Sequence, residues 1–253
     1  MAKTIKKNNA CKDVLPGLHK SFPNDTLENA QNYANSGFEN TYFLAYRDIP
    51  FFLEKYTTGK RAIDYGCGAG RSTRFLKDYG FEVIGVDVSK KMLEQAIRRD
   101  QTTHYLQIVS SQIPVLSDTC DLIFSCFVML TIQTKQELLA IFKEIYRCLK
   151  VGGIFMFVTA SEELFSHKWL SYCTDYPQNR NLKSGDAAKI LLKDLGIEFT
   201  DYFWTDKDYT TLFLEANFKR LETHFPMGKL NEGWNWLSEI KYAPYVIYVL
   251  KKE

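Results

Sequence analysis

The chain has 253 residues, a formal net charge of +2 and 15% aromatic side chains, which suits one α/β domain with an elaboration or two small domains. A nearly balanced charge removes any global pull toward nucleic acid or a membrane surface. The longest nearly apolar run, Leu122 to Ile132, is far too short to cross a bilayer.

Cysteines at 11, 67, 120, 126, 148 and 173 form neither a C-x-x-C pair nor a His/Cys cluster. Reduced thiols, no metal site and a cytoplasmic location are therefore expected. The basic start, with Lys3, Lys6 and Lys7, lacks the apolar core of a secretory signal and reads as a solvated terminus.

Residues 1–41 are polar, with scattered aromatics such as Phe22, Tyr33 and Phe38, and are expected to form an N-terminal extension or cap. A helical stretch from Tyr42 to Tyr56 follows, with Phe43, Tyr46, Ile49 and Leu53 at helical spacing and Pro50 interrupting it. "RAIDY" is a short strand entering the loop "GCGAG", and "RSTRFLKDYG" is a helix closed by Gly80. "FEVIGVDVS" is a second strand, after which Ser89 can cap the helix "KKMLEQAIRR". "YLQIVS" and "CDLIFSCFVML" make two more strands. "KQELLAIFKEIYRCLK" is an amphipathic helix, and "KVGG" turns into the strand "IFMFVTA". Strands apolar on both faces, alternating with helices, signal a parallel sheet buried between helix layers, and right-handed crossovers make it doubly wound.

In such a sheet ligands bind beyond the carboxyl ends of the strands, where the winding reverses. The glycine loop lies there, and Asp87 ends the second strand 21 positions after Gly66, placed to accept two ribose hydroxyls. A P-loop would need Gly-Lys-Ser/Thr, which is missing. A dinucleotide loop would need a small residue where Arg71 stands, and the carboxylate of Asp64 would repel a pyrophosphate. S-adenosylmethionine, with an ammonium, a carboxylate, a ribose and no phosphate, fits the loop better.

"AIDYGCGAGRS" resembles the first motif of the class I S-adenosylmethionine-dependent methyltransferases, and "VIGVDVSKKML" resembles their second. "SQIPV…CDLIFS" and "EIYRCLKVGGIFMFV" are similar to the elements that complete that core, in consistent order from about residue 42 to 160. The resemblance implies a seven-stranded, mostly parallel, Rossmann-like sheet with an antiparallel last strand, spanning 42–253. It further implies a methyl transfer to an O, N or C atom of a small-molecule acceptor. Among cofactor residues it implies Gly66 and Gly68 along the methionine part, Asp64 on the ammonium side, Asp87 on the ribose, and Val88 and Met92 against the adenine. Arg47 and Phe127 are expected in the same site. Relatives often carry an acid before the loop that ends in Leu-Pro. Here Ser110, Ser111 or Gln112 stands in that stretch.

Residues 161–205 are expected to be a helical lid over the acceptor, starting with a helix in "ELFSHKWLSYC". Phe165, Trp169, Tyr172, Phe203, Trp204 and Trp234 are candidates to line an acceptor pocket, ordinary packing being the alternative. "KRLETHFPMG" and "APYVIYVLKK" read as two closing strands, antiparallel to each other at one sheet edge. Thr131 stands where many relatives place a histidine or an acid, leaving His167 and His224 as candidate bases. No basic stripe marks a nucleic-acid partner. An RNA or protein methyltransferase and a catalytically silent cofactor binder are the alternatives.

Overall fold

The computed structural model describes residues 25–253. The basic start, Cys11 and Phe22 lie outside the described residues. Two short helices, α1 (Leu27–Ala34) and α2 (Thr41–Tyr46), precede α3 (Ile49–Tyr56), whose first turn contains Pro50. Then come β1 (Arg61–Tyr65), α4 (Arg71–Asp78), β2 (Glu82–Asp87), α5 (Lys90–Arg99) and β3 (His104–Gln107). They are followed by β4 (Cys120–Cys126), α6 (Lys135–Cys148) and β5 (Leu149–Ala160). The insertion contributes β6 (Tyr172–Cys173), β7 (Ala187–Leu192) and β8 (Ile197–Tyr202), and the chain closes with α7 (Asp206–Glu215), β9 (Phe218–His224) and β10 (Tyr245–Lys252).

The main sheet has seven strands in the order β3-β2-β1-β4-β5-β10-β9. β1 pairs in parallel with both β2 and β4, while β10 is antiparallel to both of its neighbours, β5 and β9. Successive residues of one strand enter different cores. Ala62, Leu122 and Phe124 pack with α2, α3 and the insertion, whereas Ile63, Ile123 and Phe157 pack with α6 and α7. Burial on both faces is why these strands are continuously apolar. Helix starts follow local chemistry: Ser89 Oγ accepts from Met92 N at 3.1 Å, and Thr205 and Asp208 form a reciprocal capping box.

The expected helical lid is replaced by a three-stranded antiparallel sheet, β6-β7-β8. "ELFSHKWLSYC" forms turns rather than a helix because its backbone donors find partners far along the chain. Ser171 N donates to Thr41 Oγ1 at 3.0 Å and Leu170 N to Glu239 Oε1 at 2.7 Å. "AAKILL" instead alternates, with Ala188, Ile190 and Leu192 buried, the period of a half-buried strand. Among the described residues no helix is long and apolar enough to cross a membrane, the five cysteines are free thiols, and no cluster of metal-ligating side chains occurs.

Candidate functional site

The winding of the main sheet reverses between β1 and β4, and the crevice at their carboxyl ends is where such sheets take ligands. The β1 side is the glycine loop. Gly66 N and Cys67 N both donate to the Val86 carbonyl, at 2.8 and 3.0 Å, which folds the loop back over the end of β2. Gly66 has φ +72°, and a Cβ there would lie 2.1 Å from a Val128 methyl, so the Val128 side chain, just after β4, closes directly against it. Gly68 has φ +51°, and a Cβ there would meet only the edge of the Tyr33 ring at 4.0 Å. One glycine is thus required by packing, and the other leaves space above the loop.

Acid and loop form one unit. Asp87 accepts Gly68 N through Oδ2 at 2.7 Å and Ser89 N through Oδ1 at 2.8 Å. Burial raises its carboxyl above the usual range, and the Ser89 and Gly68 N–H groups pull it back. Each oxygen keeps a second lone pair for a hydroxyl donor. Asp25 covers this end of the crevice, accepting from Ser89 Oγ at 2.6 Å.

Asp64 is fully buried beneath the loop. Its Oδ2 accepts from Thr73 Oγ1 at 2.6 Å and Ser72 Oγ at 2.7 Å, while Oδ1 has no partner. Burial pushes this carboxyl up to about 6, against the two hydroxyls that lower it.

Other expected residues gather at the same edge. Val88 and Met92 follow β2 at the start of α5, where Val88 O accepts from Gln107 Nε2 at 3.0 Å. Ser110, Ser111 and Gln112 form a tight turn bridged from Val109 to Gln112, and the Tyr65 hydroxyl ties it to the end of β1 by donating to Ser110 O. Phe127 follows β4 with φ +62°, held by its N–H to Val158 O at 2.9 Å, with its ring 5.0 Å from that of Tyr245.

Three sets of expected residues have other partners in the structure. For Arg47, Nε and Nη2 grip Asp48 at 2.8 and 2.7 Å, and Nη1 meets Glu232 at 2.6 Å. A guanidinium saturated by two carboxylates is a poor partner for a third. The two histidines are likewise engaged. His224 bonds Asp48 at 2.7 Å, and His167 stacks on Tyr242 at 3.7 Å while bonding Glu163 at 2.8 Å. The aromatics do not form one pocket. Trp169 and Tyr172 are core under the insertion, whereas Trp204 is buried on the opposite face and donates to Ile132 O at 3.0 Å. Indole and phenol rings fill interior volume well, and these do so.

Sequence reasoning missed two residues. Arg71 was weighed only for its bulk, although its place directly after the loop was the signal. It lines a small cavity with Gly66, Gly68, Tyr33, Tyr46 and Cys126. Asp201, on β8, is buried, and burial alone pushes its carboxyl up to about 8. Nothing in "EFTDYF" announces that, because an alternating strand does not say which face is covered.

The seven-stranded sheet has a Rossmann-like methyltransferase fold, with the loop-plus-acid site at its switch point. Residues 63–157 match the family model described as "Methyltransferase domain". The chain is 32% identical over 152 residues to a malonyl-[acyl-carrier protein] O-methyltransferase of Enterobacter lignolyticus, covering 56% of this chain and 59% of that one. It is 36% identical over 97 residues to the Salmonella typhimurium protein of the same name, covering 38% of each. The chain thus spans less than two thirds of the length of either relative. An S-adenosylmethionine-dependent methyltransferase structure from Mesorhizobium loti superposes with a TM-score of 0.61 at 17% identity, covering 81% of this chain and 97% of that one. Residues 63–157 thus resemble a methyltransferase domain, the sheet has the fold of solved methyltransferases that use S-adenosylmethionine, and the loop-plus-acid crevice points to S-adenosylmethionine as the bound group. The crevice fits that group: Gly68 leaves room for a close approach, the Asp87 oxygens retain acceptor capacity, and Asp64 Oδ1 is an unsatisfied acceptor beneath the loop.

Proposed function

We propose that this chain is an active methyltransferase whose acceptor is a small acyl group or metabolite presenting a carboxylate oxygen. The observation that carries the first half is the hydrogen bond from Gly68 N to Asp87 Oδ2, which makes ribose acceptor and glycine loop a single preorganised surface. In this reading Asp87 receives the ribose hydroxyls, Gly66 and Gly68 let the methionine part lie against backbone, and Asp64 faces the ammonium side. Val88 and Met92 flank the base, with the 110–112 turn beside it. When bound, the cofactor supplies a methyl already activated by its sulfonium.

The protein's task is then to orient the acceptor oxygen in line and to exclude water. A carboxylate is ionised at neutral pH and needs no base to become a nucleophile. That suits a site whose two candidate histidines are held by Asp48 and by Tyr242 with Glu163. The O-methyltransferase relatives support the same acceptor class.

S-adenosylmethionine and its demethylated product are expected to raise the melting temperature, and NAD and ATP are not. The reverse pattern removes the cofactor assignment of this crevice. A labelled-methyl assay should transfer label to malonyl thioesters or to carboxylate metabolites. Label in RNA or on protein side chains, rather than on a thioester-linked acyl group, instead establishes the macromolecular alternative, and cofactor binding without transfer to any fraction establishes a silent binder.

A further inference from the structure

The insertion reaches back over the main sheet through β8. That strand packs against the short turn Met129–Thr131, which follows β4, and just beyond it the Trp204 indole donates to Ile132 O at 3.0 Å. β8 is thereby laid over the carboxyl end of β4, where the crevice opens. Strand alternation puts Phe199, Asp201 and Phe203 on one face. Phe199 and Phe203 pack against the core that contains Tyr42, Tyr172 and Tyr245, so Asp201 between them is turned the same way. Its partner across β7, Ala188, is fully buried in that core.

Asp201 is 6% exposed, and among the described residues no group donates a hydrogen bond to it. The other buried acids, Asp64, Asp87, Asp208 and Glu239, each accept at least two. Its electrostatic neighbours are phenols rather than cations, Tyr33 of α1 and Tyr209 of α7. Tyr33 lines the small cavity beside the glycine loop, and the Tyr209 hydroxyl lies 3.2 Å from Thr159 Oγ1 near the carboxyl end of β5. The ribose acid Asp87 ends β2, on one side of the loop, whereas Asp201 overhangs β4 and β5 on the other. An acid in this setting favours its neutral form, and burial pushes its carboxyl up to about 8. A neutral carboxyl carries an O–H donor, and an ionised acceptor carboxylate has only acceptor oxygens to offer. The hydrogen bond between two such groups is charge-assisted and among the strong ones.

We propose that Asp201 is the acceptor-binding residue: its carboxyl O–H donates to one oxygen of the acceptor's carboxylate and leaves the other oxygen to meet the methyl. This deepens the methyltransferase reading and rests on it. Binding then requires the proton on Asp201, so affinity is full at low pH and is lost as the pH rises through about 8. The groups packed around Asp201 do not share that window. The phenols of Tyr33 and Tyr209 are raised by burial, and Asp208 is held low by Lys135 and Ser184 despite its burial. Lys189 of β7 is bound to Glu198 at 2.7 Å, and the 129–131 turn carries no ionisable side chain.

The test is calorimetric, on the full chain. Wild type, Asp201→Asn and Asp201→Leu are titrated with S-adenosylhomocysteine, with monoethyl malonate (one carboxylate and one ester) and with β-alanine ethyl ester, which has an ammonium in place of the carboxylate. The two esters are titrated both with and without S-adenosylhomocysteine. Asparagine keeps a donor at the same reach, leucine keeps only volume, and melting curves identify which variants are folded. Near pH 6, wild type and the asparagine variant are expected to bind monoethyl malonate alike and the leucine variant about tenfold more weakly, while all three bind S-adenosylhomocysteine equally. Going to about pH 9 should weaken the wild-type affinity about tenfold and leave the asparagine variant unchanged, because only wild type has this proton to lose. Groups common to both proteins cancel in that difference.

Undiminished binding by the leucine variant overturns the proposal, as does a pH dependence shared by the asparagine variant. A wild type that binds no monoethyl malonate, or that prefers β-alanine ethyl ester, overturns it too. A merely structural Asp201 weakens S-adenosylhomocysteine and monoethyl malonate alike, which is equally fatal. Should wild type bind no S-adenosylhomocysteine, the methyltransferase reading fails while monoethyl malonate alone still decides Asp201. Should both variants fail to fold, carbon NMR of the wild-type aspartate carboxyls decides it. The carboxyl that titrates last must shift with monoethyl malonate and not with β-alanine ethyl ester, and its failure to do so overturns the assignment.

Discussion

At the glycine loop, the polar partners of Asp64 and Asp87 are near neighbours along the chain. Gly68 meets Asp87 across 19 positions, and Asp64 meets Ser72 and Thr73 across 8 and 9. In the insertion they are distant: Ser171 meets Thr41 across 130 positions, Leu170 meets Glu239 across 69, and the Trp204 indole meets Ile132 across 72. One region is shaped by a strand, a turn and a helix start that carry their own instructions. The other takes its shape from what it lands on. A local site tolerates little change in its own residues, whereas a site assembled at long range is expected to tolerate many single changes and to respond mainly where a buried polar group is left unpaired.

The sharpest way to break this contrast is at Gly66. Gly66→Ala places a methyl against Val128 at φ +72° and is expected to cost about 3 kcal/mol of stability and to abolish cofactor binding. Gly68→Ala, with open space above it, should cost only about 1 kcal/mol in the fold while still obstructing the ligand. Chemical denaturation with calorimetry separates the two, and equal stability losses would contradict the division of labour between these glycines.

Next in size is Asp87→Ala. It removes the acceptor of Gly68 N and Ser89 N together with the ribose contact, so affinity for S-adenosylhomocysteine should fall at least about tenfold in a folded protein. Unchanged affinity would reduce Asp87 to a brace for the loop.

The insertion is probed by Asp201→Asn. In the unfolded chain this carboxyl releases its proton near pH 4, whereas burial holds the proton up to about pH 8. The folded state binds the extra proton between those values, so the contribution is complete below pH 4 and is lost as the pH rises through 8. Wild type should therefore lose stability from pH 5 to 8 more steeply than the asparagine variant, which is expected to be more stable at pH 8 by about 2 kcal/mol. Parallel melting curves would show that Asp201 ionises freely.

The smallest effects are expected at the histidines. His167→Gln and His224→Gln should change methyl transfer by less than about threefold, because each ring is held by a surface carboxylate or by a stacked tyrosine. A hundredfold loss in either would restore it as the base.

The alternation of strand and helix, the two-faced apolar strands and the antiparallel closing pair were all legible in the sequence, because burial on both faces of a parallel sheet and local caps such as Ser89 write themselves into adjacent residues. The glycine loop and Asp87 were legible for the same reason, since the bond joining them spans only 19 positions. Which arginine stands at the crevice was not. Arg47 and Arg71 differ little on paper, and only the packed structure gives one two carboxylates and surrounds the other with Tyr33, Phe38, Tyr42 and Tyr46. The insertion escaped for a related reason: "ELFSHKWLSYC" has a helical pattern, but Thr41 and Glu239 take its donors once the chain has folded around it. Residue type and spacing determined the sheet, the loop and the class of ligand. Desolvation and long-range partners, which exist only in the folded molecule, decided the charges that face that ligand.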